Sequence, residues 1–215
     1  VPLAAVLNLV SNTQPEGGRV LGGVKVSALQ GGGMTGSMDV RFPVSVADMQ
    51  LPAGVDPTNC AFGLAIARVV DDAPVYELVD RMHYEDGALV THSPPFFGLL
   101  GPFEDILVLP LLLTVAEVPM LVNGKVVITE VDPATGQPLP NAPRDPLSGA
   151  IVSGRGPTSP NALRGRLRPG TVYAVSGPDG SYTLMVSVEA NSASRAVALS
   201  ATHPRFPGLR PESVV

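Results

Sequence analysis

Along most of this chain apolar and polar residues alternate with a period of two. Phe62, Leu64 and Ile66 lead a segment that runs to Val70, and Val24 and Val26 alternate with Lys25 and Ser27 as far as Leu29. In the same way Val40, Phe42, Val44 and Val46 take one side of 39–46, with Pro43 on the other. Successive side chains of a strand point to opposite faces, so this period predicts half-buried strands. The one bearing Pro43 belongs at a sheet edge, where a missing N–H breaks no ladder. Further strands are predicted over Val20–Leu21, Val75–Met82, Ala88–Thr91, Val122–Val131, Ala150–Val152, Val172–Val175, Tyr182–Val188 and Ala196–Ala201, and the apolar start Val1–Val10 reads as extended too. Ile106–Val115 differs: it is apolar almost throughout, which predicts a strand covered on both faces.

Turn residues interrupt these segments about every 8 to 12 positions, the spacing of a β-sandwich or barrel. Glu85-Asp86-Gly87 predicts a hairpin, because Asp-Gly supplies the positive φ that a two-residue hairpin turn demands. Ala116-Glu117-Val118-Pro119 reads as a boundary. The expected organisation is a β-sandwich domain over 1–119, a second over 120–207 with a long insertion at 141–169, and a tail over 208–215. The fold class is all-β, two sandwiches in tandem. The insertion is expected at the surface, because its many Pro and Gly residues leave backbone groups for water to satisfy, and trypsin is expected to cut it at Arg144, Arg155 or within Arg164–Arg168.

Composition strengthens the case against helix. Of 215 residues, 23 are Gly and 23 are Pro, the two types least favourable inside a helix, so less than about a tenth of the chain is expected to be helical. Hydrophobic residues make up 45% and charged residues 15%, with a mean hydropathy of +0.26, which lacks the signature of disorder. A net charge of −5 supplies no electrostatic footprint for nucleic acid or an anionic membrane. The ten residues of Ile106–Val115 fall short of the roughly 20 of a membrane helix, so no membrane insertion is expected. Cys60 is the only cysteine, which excludes an intrachain disulfide and a Cys-rich zinc site. Nothing near it suggests an activated thiol, and it reads as a small core hydrophobe. The chain begins at Val1 without Met or a basic leader, and the start is expected to be processed or truncated.

A resemblance emerges in the second half. Val122-Asn123-Gly124-Lys125-Val126, Asp132-Pro133-Ala134-Thr135-Gly136-Gln137-Pro138-Leu139, Gly149-Ala150-Ile151-Val152 and Gly177-Pro178-Asp179-Gly180-Ser181-Tyr182-Thr183-Leu184 lead to a closing strand at Val197–Pro204. Residues 121–207 resemble the carboxypeptidase regulatory-like domain, a prealbumin-like (transthyretin-like) β-sandwich. The long Pro-rich loop Asn141–Pro169 departs from that pattern. Such domains accompany peptidases and surface proteins without being catalytic, so the resemblance implies a module and not an active site. The first half is similar to the Ig-like, β-rich segments of bacterial surface proteins, through Phe42–Val46, Leu51–Gly54 and Glu85–Thr91. Some related surface modules join Lys to Asn by an isopeptide bond. Lys125 fits the first strand, but Arg195–Ala201 offers no Asn or Asp.

The chemistry-bearing residues are sparse. His83, Glu85 and His92 flank the predicted hairpin and are the best metal or acid–base set, against the plainer reading as exposed hairpin polars. Asp71, Asp72, Asp132 and Asp179 could bind calcium only with turn carbonyls, without a recognisable loop spacing. Gly31–Gly36 lacks the lysine of a phosphate loop, no Gly-x-Ser-x-Gly elbow occurs, and His203 reads as solvated at a strand end. No catalytic, metal or cofactor site is therefore assigned, and the chain is read as not an enzyme. Phe96, Phe97 and Phe103, among prolines, form a candidate binding loop for glycan or protein, or else a plug closing one end of a sandwich. Leu3, Val6, Leu7 and Leu9 form a candidate assembly strand, pairing within its own domain or with another copy to give a homo-oligomer or filament. The expected function is a noncatalytic structural or adhesive β module of a bacterial surface protein, secreted or on the cell surface. Its expected partners are other subunits or domains, with a glycan as the alternative.

Overall fold

The computed structural model describes residues 15–27, 39–70, 73–91, 105–114, 117–157, 167–189 and 196–206. Among them all regular structure is β apart from one 3₁₀ turn, Pro57–Asn59, capped by Asp56. The main sheet is built on β4 (Phe62–Val70), β5 (Ala73–Glu85) and β7 (Asp105–Leu113), with β4 antiparallel to both others. The free edge of β7 carries β1 (Gly18–Val20) and then β2 (Val24–Ser27) in series. Between them lies Leu21, whose N–H donates to the Pro110 carbonyl at 2.9 Å. In an antiparallel ladder the N and C=O of one residue face the same neighbour, so the missing N–H of Pro110 faces the interruption between β1 and β2. A proline in a central strand is tolerated there because no donor is required.

The far edge of β5 is shared by two strands. Met82–Glu85 pairs with β6 (Ala88–Thr91), through the expected turn at Asp86 (φ 47°) and Gly87 (φ 75°), and β6 pairs with β3 (Arg41–Pro43). Tyr76–Leu78 pairs instead, in parallel, with β12 (Leu167–Pro169), which comes from the stretch expected as a surface insertion. The N–H of Leu167 then donates to the Glu16 carbonyl at 2.9 Å, two residues before β1. This bond ties β12 back to the segment that leads into β1. An extra residue on β5, Val79, makes a bulge opposite Leu64 and Ala65, and such bulges bend and twist the sheet.

Both faces of this sheet are buried, as the uniformly apolar β7 predicted. On one face Phe62, Leu64, Ile66, Val79, Met82 and Val108 pack under Phe42, Leu89, Val40, Val44 and Met49. Val46 was expected to join that stripe, but it lies beyond β3 in a turn and is 48% exposed. On the other face Ala65, Ala67, Tyr76, Leu78, Leu107, Leu109, Leu111, Leu113 and Leu167 form a cluster whose members, among the described residues, all belong to the same sheet. Leucines opposite small residues fit the tight interior of a curled sheet. Gly63 is one of those small positions: a Cβ there would run into Leu78 Cδ1.

The second half forms two smaller sheets. β8 (Glu117–Lys125) pairs along its length with β14 (Ser181–Glu189), and β11 (Ile151–Arg155) lies between β13 (Thr171–Val175) and β15 (Ala198–Thr202). Between these layers pack Val152, Val172, Leu184 and Val186, joined by Val122, Val126, Tyr182 and Leu199. A short ribbon, β9 (Val127–Ile128) with β10 (Asp145–Pro146), extends from one end. The surface expectation for 141–169 holds for Asn141–Arg144 but fails at Ala150, Val152 and Leu167, each under 5% exposed. Their short apolar runs are strand interiors embedded in a Pro- and Gly-rich context.

Candidate functional site

A cluster of three charged side chains sits where the two halves meet. Glu77 projects from β5 beside β12, and Arg168, its register partner on β12, donates from one terminal nitrogen (Nη2) to Glu77 Oε1 at 2.9 Å. Arg155, at the end of β11, donates its own Nη2 to the same oxygen at 3.4 Å. Glu77 is largely buried, its side chain 18% exposed, while Arg155 and Arg168 are 42% and 31% exposed. The Nε atoms of both arginines are shut off from solvent and have no acceptor among the described residues. The stems are therefore packed and only the guanidinium ends are presented. Two cations around one carboxylate leave a local surplus of positive charge, and the geometry can hold an oxyanion. Sequence reasoning named Arg155 and Arg168 only as expected trypsin cut sites, and Glu77 not at all. The arginine density of 141–169 was a usable signal, but Glu77 is about 80 residues from Arg155 and only the fold joins them.

The His83 and Glu85 pair stands on one side of the β5–β6 hairpin, His83 Nε2 to Glu85 Oε2 at 3.7 Å, with both side chains about half exposed. His92 lies outside the described residues, so the expected set is seen in part. Among the described residues no group of three His, Cys, Asp or Glu side chains could hold a metal ion. Cys60 is partly buried against the first core cluster, and its thiol donates to the Asp56 carbonyl at 3.7 Å.

Of the acidic residues weighed for calcium, Asp132 and Asp179 accept hydrogen bonds within turns. Asp179 Oδ1 accepts the Ser181 hydroxyl at 2.6 Å and the Ser181 N–H at 3.1 Å. Those bonds, together with Lys125 Nζ at 3.5 Å, hold its carboxyl down at about 2. Asp132 Oδ1 takes the Ala134 N–H at 2.8 Å in the turn ending at Gly136, which lowers its pKa. Asp71 and Asp72 lie outside the described residues. His203 corrects an expectation: it is 7% exposed and not solvated. Its Nδ1 accepts the Arg205 N–H at 3.1 Å, which leaves Nε2 to carry the proton toward the Ser148 carbonyl at 3.0 Å, and the Phe206 ring lies against it, tilted by 40° with centroids 4.9 Å apart. Both ring nitrogens are thereby satisfied inside the fold.

Leu121, 59% exposed, lies on the outer face of β8, a strand that among the described residues pairs only with β14. The candidate binding loop of Phe96, Phe97 and Phe103, the candidate assembly strand of Leu3, Val6, Leu7 and Leu9, and Gly31–Gly36 all lie outside the described residues. No family model, no curated protein and no solved structure matches this chain.

Proposed function

We propose that the chain is a noncatalytic structural or adhesive β module of an extracellular surface protein or assembly, secreted or displayed on a cell surface. The observation that carries this reading is the edge strand β8: nine residues long, with Leu121 59% exposed and a single pairing partner among the described residues. Such an edge is a template for pairing with another chain. The polar side chains argue in the same direction, since Asp56, Asp132, Asp179, Ser176 and His203 are engaged in turns and strand ends.

The carboxypeptidase regulatory-like assignment of 121–207 belongs to this proposal, as does the division into Ig-like and prealbumin-like units. It draws support from the two facing sheets around Val152, Val172, Leu184 and Val186. Assembly through the N-terminal segment bearing Leu3, Val6, Leu7 and Leu9 is the specific version in which that segment of one copy pairs with the β8 edge of the next. Light scattering and negative-stain imaging test both levels. Leu121→Lys, which charges the edge, is expected to abolish assembly with an unchanged melting temperature, and so is deletion of residues 1–10. Isolated monomers of the unaltered chain at every concentration, together with a cytosolic location of the parent protein, would remove the reading.

A further inference from the structure

From the seam between the halves we infer a binding site for the acidic groups, carboxylate or sulfate, of an anionic polysaccharide, formed by Arg155 and Arg168 with Glu77 as its built-in competitor. The inference deepens the adhesive reading above and rests on it for the identity of the partner. Three observations converge. Arg155 and Arg168 reach the same oxygen of Glu77 from different sheets, at 3.4 and 2.9 Å, so one carboxylate faces two guanidiniums. Their stems are held, with both Nε atoms shut off from solvent, while the guanidinium ends remain partly exposed. A donor pair fixed in advance loses little conformational freedom when an anion arrives.

Charge is also distributed unevenly along the chain. Residues 141–169 contain five arginines and one Asp, so of the 14 basic and 19 acidic residues the remainder holds nine and 18. Positive charge is thus concentrated in one stretch of an otherwise acidic chain, which suits the acidic groups of the glycan that the adhesive reading supplies as partner, with nucleic acid as the competing polyanion. Glu77 occupies one terminal nitrogen of each arginine, which leaves the other terminal nitrogen of each as a donor for the ligand. Neutralising Glu77 without changing its shape weakens its hold on the shared donors and removes the repulsion.

The test is titration of the full chain with polygalacturonate oligomers and with heparin-derived oligosaccharides, using neutral dextran and oligo-dT as comparison probes. Binding to at least one acidic glycan is expected, with the stronger of the two arms showing whether carboxylate or sulfate is preferred. Arg168→Gln or Arg155→Gln is expected to weaken it about tenfold, the size of one lost charged hydrogen bond. Glu77→Gln is expected to strengthen it about three- to tenfold, a gain that loss of structure cannot produce. Should Arg168→Gln melt below the working temperature, the more exposed Arg155→Gln carries the comparison. Absence of glycan binding, an unchanged or weaker affinity in Glu77→Gln, or equally tight binding of oligo-dT would each overturn the site. The module reading stands or falls separately, on assembly and location.

Discussion

Leu167 donates its backbone N–H to the carbonyl of Glu16 at 2.9 Å, across about 150 positions of sequence. One residue thus serves three purposes. Its backbone pairs with Tyr76 of β5, its N–H reaches the chain just before β1, and its side chain, 4% exposed, enters the cluster lined by Leu78, Leu109 and Leu111. The core of the first half is completed by a strand of the second.

Leu167→Ala is therefore expected to destabilise the whole chain by about 2 to 5 kcal/mol, the range for truncating a buried leucine to leave a cavity. Urea unfolding checks the value. Because β12 is shared, tyrosine fluorescence and far-ultraviolet circular dichroism should report one coincident transition. Two separated transitions would mean that the halves unfold independently and that β12 contributes little.

Asp179 has a folded pKa held down at about 2, from an ordinary value of 3.8, chiefly by the Ser181 hydroxyl and then by the Ser181 N–H. A depressed carboxylate stabilises the fold above its unfolded pKa, and this contribution fades as pH falls through the folded value. The stability difference between the unaltered chain and Asp179→Asn is accordingly expected at pH 5 and above, shrinking between about pH 4 and 2. Thermal melts across that range read it directly; a constant difference would show that the charge is not the source.

Native-state trypsin digestion is expected to spare the Arg155–Gly156 bond, although Arg155 falls within the stretch first expected to be cut. The residue ends β11 between two hydrogen-bonded neighbours, opposite Thr171 and Ala198. Cleavage needs a locally extended, accessible segment, and opening this one would disrupt the centre of a sheet. Mass spectrometry of early fragments should find Arg144, exposed and outside any strand, cut sooner than Arg155. Early loss at Arg155 would contradict the observed pairing.

His203→Ala is expected to cost about 0.5 to 1.5 kcal/mol, because the partly buried bonds to the Ser148 carbonyl and from the Arg205 N–H are lost. His203→Gln, which keeps one polar group in reach, should recover part of that loss. Equal losses for both variants would assign the effect to ring packing on Phe206 alone.

Much of the local structure was legible in sequence. Period-two alternation located β4 at its observed limits, Asp86-Gly87 marked a hairpin turn with consecutive positive φ, and the apolar density of 106–115 announced a strand buried on both faces. These are short-range properties: side-chain direction in a strand and the steric demands of a tight turn follow from a few adjacent residues. The candidate seam was not legible in the same way. Glu77 lies in an otherwise ordinary alternating strand, and Arg168 closes an arginine run that reads equally well as a solvated loop.

The sequence by itself determined the β class, the positions of most strands and turns, and the absence of a second cysteine for Cys60 to pair with. Only the tertiary structure decided that Leu167–Pro169 completes the sheet of the first half, that His203 is buried, and that Arg155 and Arg168 converge on Glu77. The physical reason is range. Alternation states that a residue has an inward face, but which distant segment covers that face is settled by the competition among all apolar surfaces and open strand edges of the folded chain. Here the open edge of β5 beyond β6 accepted β12, and the charged residues on either side of that junction were brought together as its consequence.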